Sequence, residues 1–360
     1  MPEPEEKISL GRISGALLLW VAGFLLAAAA LHALVRDPLH LQAASRSEKL
    51  LMLKGWHGNV FSAAFGSSHV HNGFDPRVFD RTLAGTPLAT RSANLAIEGG
   101  SQSEQRVMAL EFVEQLESPA QAGAAAQPCF VMLELNAGTN FTKEHLVHPR
   151  AINIYDWPTT RLITHFVSPA MPREQRVGRI GYALAAMGLH YANIGMVSNR
   201  IFAPPLDPQI VADQTAEDRR GQRVEARNAA NMPAIYQEFA ARPKTPAIVE
   251  EGLVPGNTEL VEQLQKASAI SGVSYIYFTM PKISDLRVQT NYPDHLLAGG
   301  QEVPILNLAR PDRFPQFYNP ELWHDDGHLS GVGAQLFSRI FAEQLTAWYA
   351  QHGGPTPCGG

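Results

Sequence analysis

Apolar and polar positions fall into three patterns along the chain. The first is a single uncharged run, Ile13 to Val35 (ISGALLLWVAGFLLAAAALHALV), set between Arg12 and Arg36-Asp37. At a helical rise of ~1.5 Å per residue it spans about 34 Å, enough to cross a hydrocarbon layer of roughly 30 Å, so it predicts a transmembrane helix. A cleaved signal peptide is the competing reading, with Ala27 to Ala30 as its cleavage region; the length of the run and the acidic leader MPEPEEK favour an anchor. Lys7 and Arg12 on one side balance Arg36, Arg46 and Lys49 on the other, so the charges do not fix an orientation.

The second pattern is a series of short, nearly continuous apolar runs, Asn59–Phe65, Ser92–Ile97, Phe130–Leu135, Val273–Thr279 and Val303–Leu308, each read as a buried strand. The third has helical spacing: Ser103–Leu116, Thr258–Ile270 and Gly331–Ala350, the last with Leu336, Ile340, Phe341, Leu345 and Trp348 on one face. Strands that alternate with helices predict an α/β fold, a three-layer sandwich with a central parallel sheet covered on both faces, whose ligands bind beyond the carboxyl ends of the strands. Residues 1–12 are then a leader, 13–35 the anchor, 36–57 a polar linker and 58–350 the domain. A helical insertion is expected at about 141–256, with helical patterns at Arg173–Tyr191 and Asp218–Ala241, and a flexible tail at 351–360.

Composition narrows the function classes. The formal net charge of -5 and the pI near 6.2 come without a cluster of Lys and Arg, which excludes a phosphate-binding surface and hence nucleic acid as a partner. Two cysteines make neither a disulfide framework nor a zinc spacing: Cys129 reads as a small buried hydrophobe, and Cys358 lies in a tail that reads as too loose to suggest a pair. No cofactor motif is found, and none is expected.

Two short segments carry candidate chemistry. Ser68, in F-G-S-S-H-V, follows the first soluble strand at a turn that would expose its hydroxyl and offer backbone N–H groups to an oxyanion. Asp325 and His328, in L-W-H-D-D-G-H-L, have the spacing of a carboxylate that orients an imidazole just before the last helix. Each segment alone reads first as a structural turn, with Ser capping the next helix after the first, and Asp326 or Ser330 after the second. His69 and His71 form an H-x-H, but positions two apart on a helix do not share a face, so a metal is not expected and His69 is read as a pocket wall. His324 adjoins Asp325 and could be mistaken for the base.

Taken together, a strand-end Gly-x-Ser near the start, a glycine after the second strand and D-x-x-H-L before the last helix resemble the SGNH (GDSL-like) hydrolase superfamily over about 58–105, 128–140 and 318–345. Ser67 replaces the aspartate common in the family's serine block. G-S-S followed by a polar residue and then N-G-F-D-P (Asn72 to Pro76) is similar to a membrane-anchored bacterial branch that includes D-alanyl transfer and alginate O-acetylation proteins. The resemblance implies a flavodoxin-like sheet and a triad of Ser68, Asp325 and His328. It also implies an oxyanion hole from the N–H groups of Ser68 and Gly99, with Gly100 as the second choice. The family's third block is not intact here: LELNAGTN offers Asn136 first, and Asn140 second, as an amide donor.

The function implied is a serine esterase or O-acyltransferase, in the bacterial inner membrane with its soluble domain outside the cytoplasm. It would act on an acylated carbohydrate or small ester, with a multi-spanning membrane acyl donor protein as partner. A non-catalytic envelope scaffold or polysaccharide-binding subunit is the alternative.

Overall fold

The computed structural model describes residues 10–34, 44–56, 58–135, 154–167, 171–192, 209, 212, 215–243 and 246–359. Eight strands are found among them: β1 Ser62–Phe65, β2 Ser92–Asn94, β3 Phe130–Glu134, β4 Ala247–Glu250, β5 Ser274–Phe278, β6 Val288–Asn291, β7 His295–Ala298 and β8 Gln301–Leu306. Six form one sheet in the order β2-β1-β3-β5-β8-β7, in which the first five run parallel and β7 pairs antiparallel with β8. The parallel strands β1, β2, β3, β5 and β8 correspond to the five apolar runs. Their inner residues are buried on both faces, which is why they read as continuous apolar runs and not as an alternation.

Alternate positions feed two apolar clusters. Ala63, Phe65, Val131, Leu133, Tyr275 and Tyr277 pack with residues of the helices Ala44–Gly55, Gln102–Gln115 and Pro255–Ala267. Ala64, Phe130, Met132, Ile276 and Phe278 pack on the other side with Ser68–Gly73, Pro76–Leu83 and the final helix Gly331–His352. The sheet is therefore covered by helices on both faces. Its order reverses around β1, since β2 lies to one side of it and β3 to the other, and such a reversal opens a crevice beyond the strand ends.

Several boundaries differ from expectation. The linker at 36–57 contains the helix Ala44–Gly55, which is part of the domain: its Arg46 is buried in an ion pair with Glu104 at 3.1 Å, and the Lys49 ammonium donates to the Asn94 carbonyl at 3.0 Å and to that of Gly221. Burial pushes the Lys49 ammonium down to about 7. Of the helical pattern at 218–241, only Met232–Ala240 is helix. Arg220 and Gly221 both take left-handed backbone angles, φ 43° and 87°, which break a helix, and a Cβ on Gly221 would lie 2.1 Å from the Asn94 carbonyl oxygen. Two small features were not foreseen, the antiparallel edge strand β7 and the parallel pair β4–β6.

The tail is not loose. Cys358 forms a disulfide with Cys129, and Gly359 N–H donates to the Ser271 carbonyl at 2.9 Å, so the tail is pinned where the chain enters β3 and β5. The reading of Cys129 as a free buried hydrophobe is corrected accordingly: it is buried, and it is also paired.

At the other terminus, Leu10–Leu34 is a single helix of 25 residues with Leu17, Leu18, Leu19 and Trp20 exposed. Its described side chains cover 14–28 and 30, fewer than the ~20 consecutive residues a crossing needs, and among the described residues no helix is long and apolar enough to cross a membrane. The crossing expected over 13–35 rests on the sequence pattern.

Candidate active site

The end of β1 turns directly into the short helix Ser68–Gly73, and the turn is fixed by close packing. Gly66 has no room for a side chain, since a Cβ there would lie 2.5 Å from Glu134 Oε2 and 2.6 Å from Val70 Cγ2. Ser67 is the N-cap: its hydroxyl accepts from the His69 N–H at 3.3 Å, and its own N–H donates to Glu134 Oε2 at 2.6 Å. At the far end of this helix the Asn94 amide donates to three carbonyls, those of Val70 at 2.8 Å, His71 at 3.2 Å and Phe74 at 2.9 Å, while its own oxygen accepts from Ala96 N–H at 3.1 Å. Both ends of a six-residue helix are thus held by buried side chains at the ends of β2 and β3, and Ser68 is left half-buried at its first turn.

Asp325 and His328 sit in a tight loop between Trp323 and Leu329, which face each other in an isolated antiparallel bridge. Asp325 Oδ1 accepts from the N–H groups of Gly327 at 2.8 Å and His328 at 2.7 Å, and the carboxylate lies 2.8 and 2.9 Å from His328 Nδ1. Burial would raise this carboxyl, but the Gly327 and His328 hydrogen bonds outweigh it and hold it below its ordinary value. A carboxylate at Nδ1 keeps the proton there and leaves Nε2 as the acceptor. Nε2 lies 2.8 Å from Ser68 Oγ. Two residues that are 260 positions apart in sequence therefore meet, hydroxyl to imidazole, with the carboxylate behind.

The glycine turn after β2 lies beside this assembly. Ile97 N–H donates to the Gly66 carbonyl at 3.1 Å, and a Cβ on Gly100 would lie 2.6 Å from the same oxygen. Gly100 N–H is used within the turn, donating to Ile97 O at 2.8 Å, so Gly100 is a poor oxyanion donor. Gly99 is exposed, with φ 60°, and among the described residues neither its N–H nor that of Ser68 has a hydrogen-bond acceptor. Asn136 and Asn140 lie outside the described residues.

Other predicted residues separate by contact. The His69 ring stacks on His328, with centroids 5.2 Å apart and planes 20° from parallel, and its Nδ1 lies 2.9 Å from Ser67 Oγ. His71 is buried, and its carbonyl accepts from Arg223 N–H at 3.1 Å. Among the described residues no group of three or more His, Cys, Asp or Glu side chains could hold a metal. His324 is bonded through Nδ1 to the Ala226 carbonyl and does not engage Ser68. Ser330, as one alternative had it, caps the final helix, accepting from Gly333 N–H at 3.4 Å.

Three features were missed in the sequence. Glu134 is a buried carboxylate under the nucleophile turn; burial raises its pKa against the opposing Ser67 N–H. Asn94 is fully buried. Both were visible as lone polar residues within apolar strand runs, FVMLEL and SANLAI. The third is that the expected insertion borders the site: Arg220 O accepts from Asn94 N–H at 2.8 Å, Glu225 O from Gly331 N–H at 2.8 Å, and the Asn231 amide donates to His324 O at 3.1 Å. Comparisons with protein-family models, with curated proteins and with solved structures give no match for this chain.

Proposed function

We propose that the chain is a serine esterase or O-acyltransferase of SGNH type that works through an acyl-Ser68 intermediate. The observation that carries this reading is the continuous relay from Ser68 Oγ to His328 Nε2 and from Nδ1 to Asp325, at 2.8 Å for each step. His328 removes the Ser68 proton as Oγ attacks the acyl carbonyl, then gives that proton to the departing alcohol. Water or an acceptor hydroxyl repeats the exchange in reverse and releases the acyl group. The N–H groups of Ser68 and Gly99, without an acceptor among the described residues, are the oxyanion donors in this scheme.

An acylated carbohydrate of the cell envelope, or a small ester, is the substrate class, with a multi-spanning membrane protein as acyl donor and the run 13–35 as inner-membrane anchor. The Cys129–Cys358 disulfide supports a domain outside the cytoplasm, because such bonds persist in oxidising compartments. A fluorophosphonate probe tests the enzyme against the non-catalytic scaffold. Wild type should be labelled on Ser68, and Ser68→Ala should not. A folded wild type that stays unlabelled favours the scaffold.

A further inference from the structure

The mechanism above uses one imidazole, yet the site holds two. His69 follows the nucleophile, lies nearly parallel to His328, and is held at Nδ1 by the Ser67 hydroxyl. We infer that His69 is a positioning residue for the base: its ring, tethered to Ser67, covers one face of His328, keeps water from that face and holds Nε2 in line with Ser68 Oγ. This role rests on the triad reading of Ser68 and His328.

The geometry suits a cover. Ser67 Oγ meets both the backbone N–H and the ring Nδ1 of His69, at 3.3 and 2.9 Å, so the cap that starts the helix also fixes the ring. Glu134 stands behind, with Oε1 3.8 Å from the same Nδ1 and Oε2 on the Ser67 N–H. On the opposite edge, His69 Nε2 would lie 3.5 Å from a Cβ on Gly327, so the ring spans the gap between the nucleophile turn and the triad loop. Its side chain remains 23% exposed, enough to tolerate replacement.

The charge state agrees with this role. Burial first, with the nearby Lys282 cation and His328, pushes the His69 imidazole down to about 3, against the opposing Asp325 carboxylate. The ring is therefore neutral at working pH and does not repel the imidazolium that forms on His328. The charged and titratable groups facing the pair are Asp325 from the triad loop, Glu134 from the end of β3 and Lys282 from the segment after β5.

Removing the cover lets water reach His328. That water competes with Ser68 for Nε2, and the ring loses its alignment. The test is the rate at which a fluorophosphonate modifies Ser68 in wild type, His69→Ala, His69→Asn and His69→Phe, with thermal melting of each. His69→Ala and His69→Asn should react roughly tenfold more slowly, because the base is less well aligned. His69→Phe, which restores a flat ring without the tether, should recover most of the rate. A rate unchanged in His69→Ala, or in His69→Asn if the alanine variant does not fold, overturns the inference. A phenylalanine variant no better than alanine does the same. Failure of wild type to react at all contradicts the triad reading itself, whereas a reactive wild type with silent His69 variants contradicts only the role of His69.

Discussion

The two halves of the site are built in opposite ways. The Asp325–His328 loop is self-sufficient: the carboxylate is held by N–H groups two and three residues away, and it orients an imidazole three residues away. The nucleophile turn depends on remote residues. Ser67 is held by Glu134, 67 positions on, and the end of the Ser68–Gly73 helix by Asn94, whose own carbonyl accepts from Lys49. On the proposed function, changes at Asp325 should disable the base without disturbing the fold, whereas changes that never touch Ser68 should misplace it.

Asp325→Asn isolates the first half and should give the larger effect. The amide oxygen can still accept from Gly327 and His328, so the loop keeps its shape, but it no longer provides the carboxylate that fixes the His328 tautomer. Turnover of an ester substrate should fall by ~10⁴, with a melting temperature close to that of wild type. A loss of stability as large as the loss of rate would show that the loop is not self-sufficient.

Asn94→Ala isolates the second half. The Phe74 carbonyl loses its donor, while those of Val70 and His71 keep the N–H groups of Phe74 and Arg223, a cost of roughly 1–3 kcal/mol in urea unfolding. Activity should fall in the same variant by a smaller factor than in Asp325→Asn, because the helix that carries Ser68 loosens while the base stays armed. An Asn94→Ala protein as stable and as active as wild type would remove the asymmetry between the halves.

The same contrast explains what the sequence made legible. Asp325 and His328 are recognisable because everything that arranges them lies within one short segment. The five parallel strands were legible because burial on both faces leaves an unbroken apolar run, and the final helix because its apolar face repeats over several turns. Glu134 and Asn94 were not recognised, since each looks like a stray polar residue until the sheet brings β2 and β3 to either side of β1. The first part of the 218–241 pattern looked helical by spacing, and the left-handed angles of Arg220 and Gly221 with the contacts to Asn94, His71 and Gly331 explain why 218–231 is not helix. The disulfide was overlooked for a similar reason: 229 residues separate its cysteines, and only the fold brings the tail to the start of β3.

The central claim is that Ser68 carries the acyl group between donor and acceptor. Rapid-quench intact-mass measurement during turnover of an acetyl ester tests it most directly, with peptide mapping of any adduct. The account predicts a transient single acetyl group on Ser68 of the wild type, accumulating before steady state, and none on Ser68→Ala. Turnover by Ser68→Ala at the wild-type rate, or an acetyl group that maps to another residue, would contradict it.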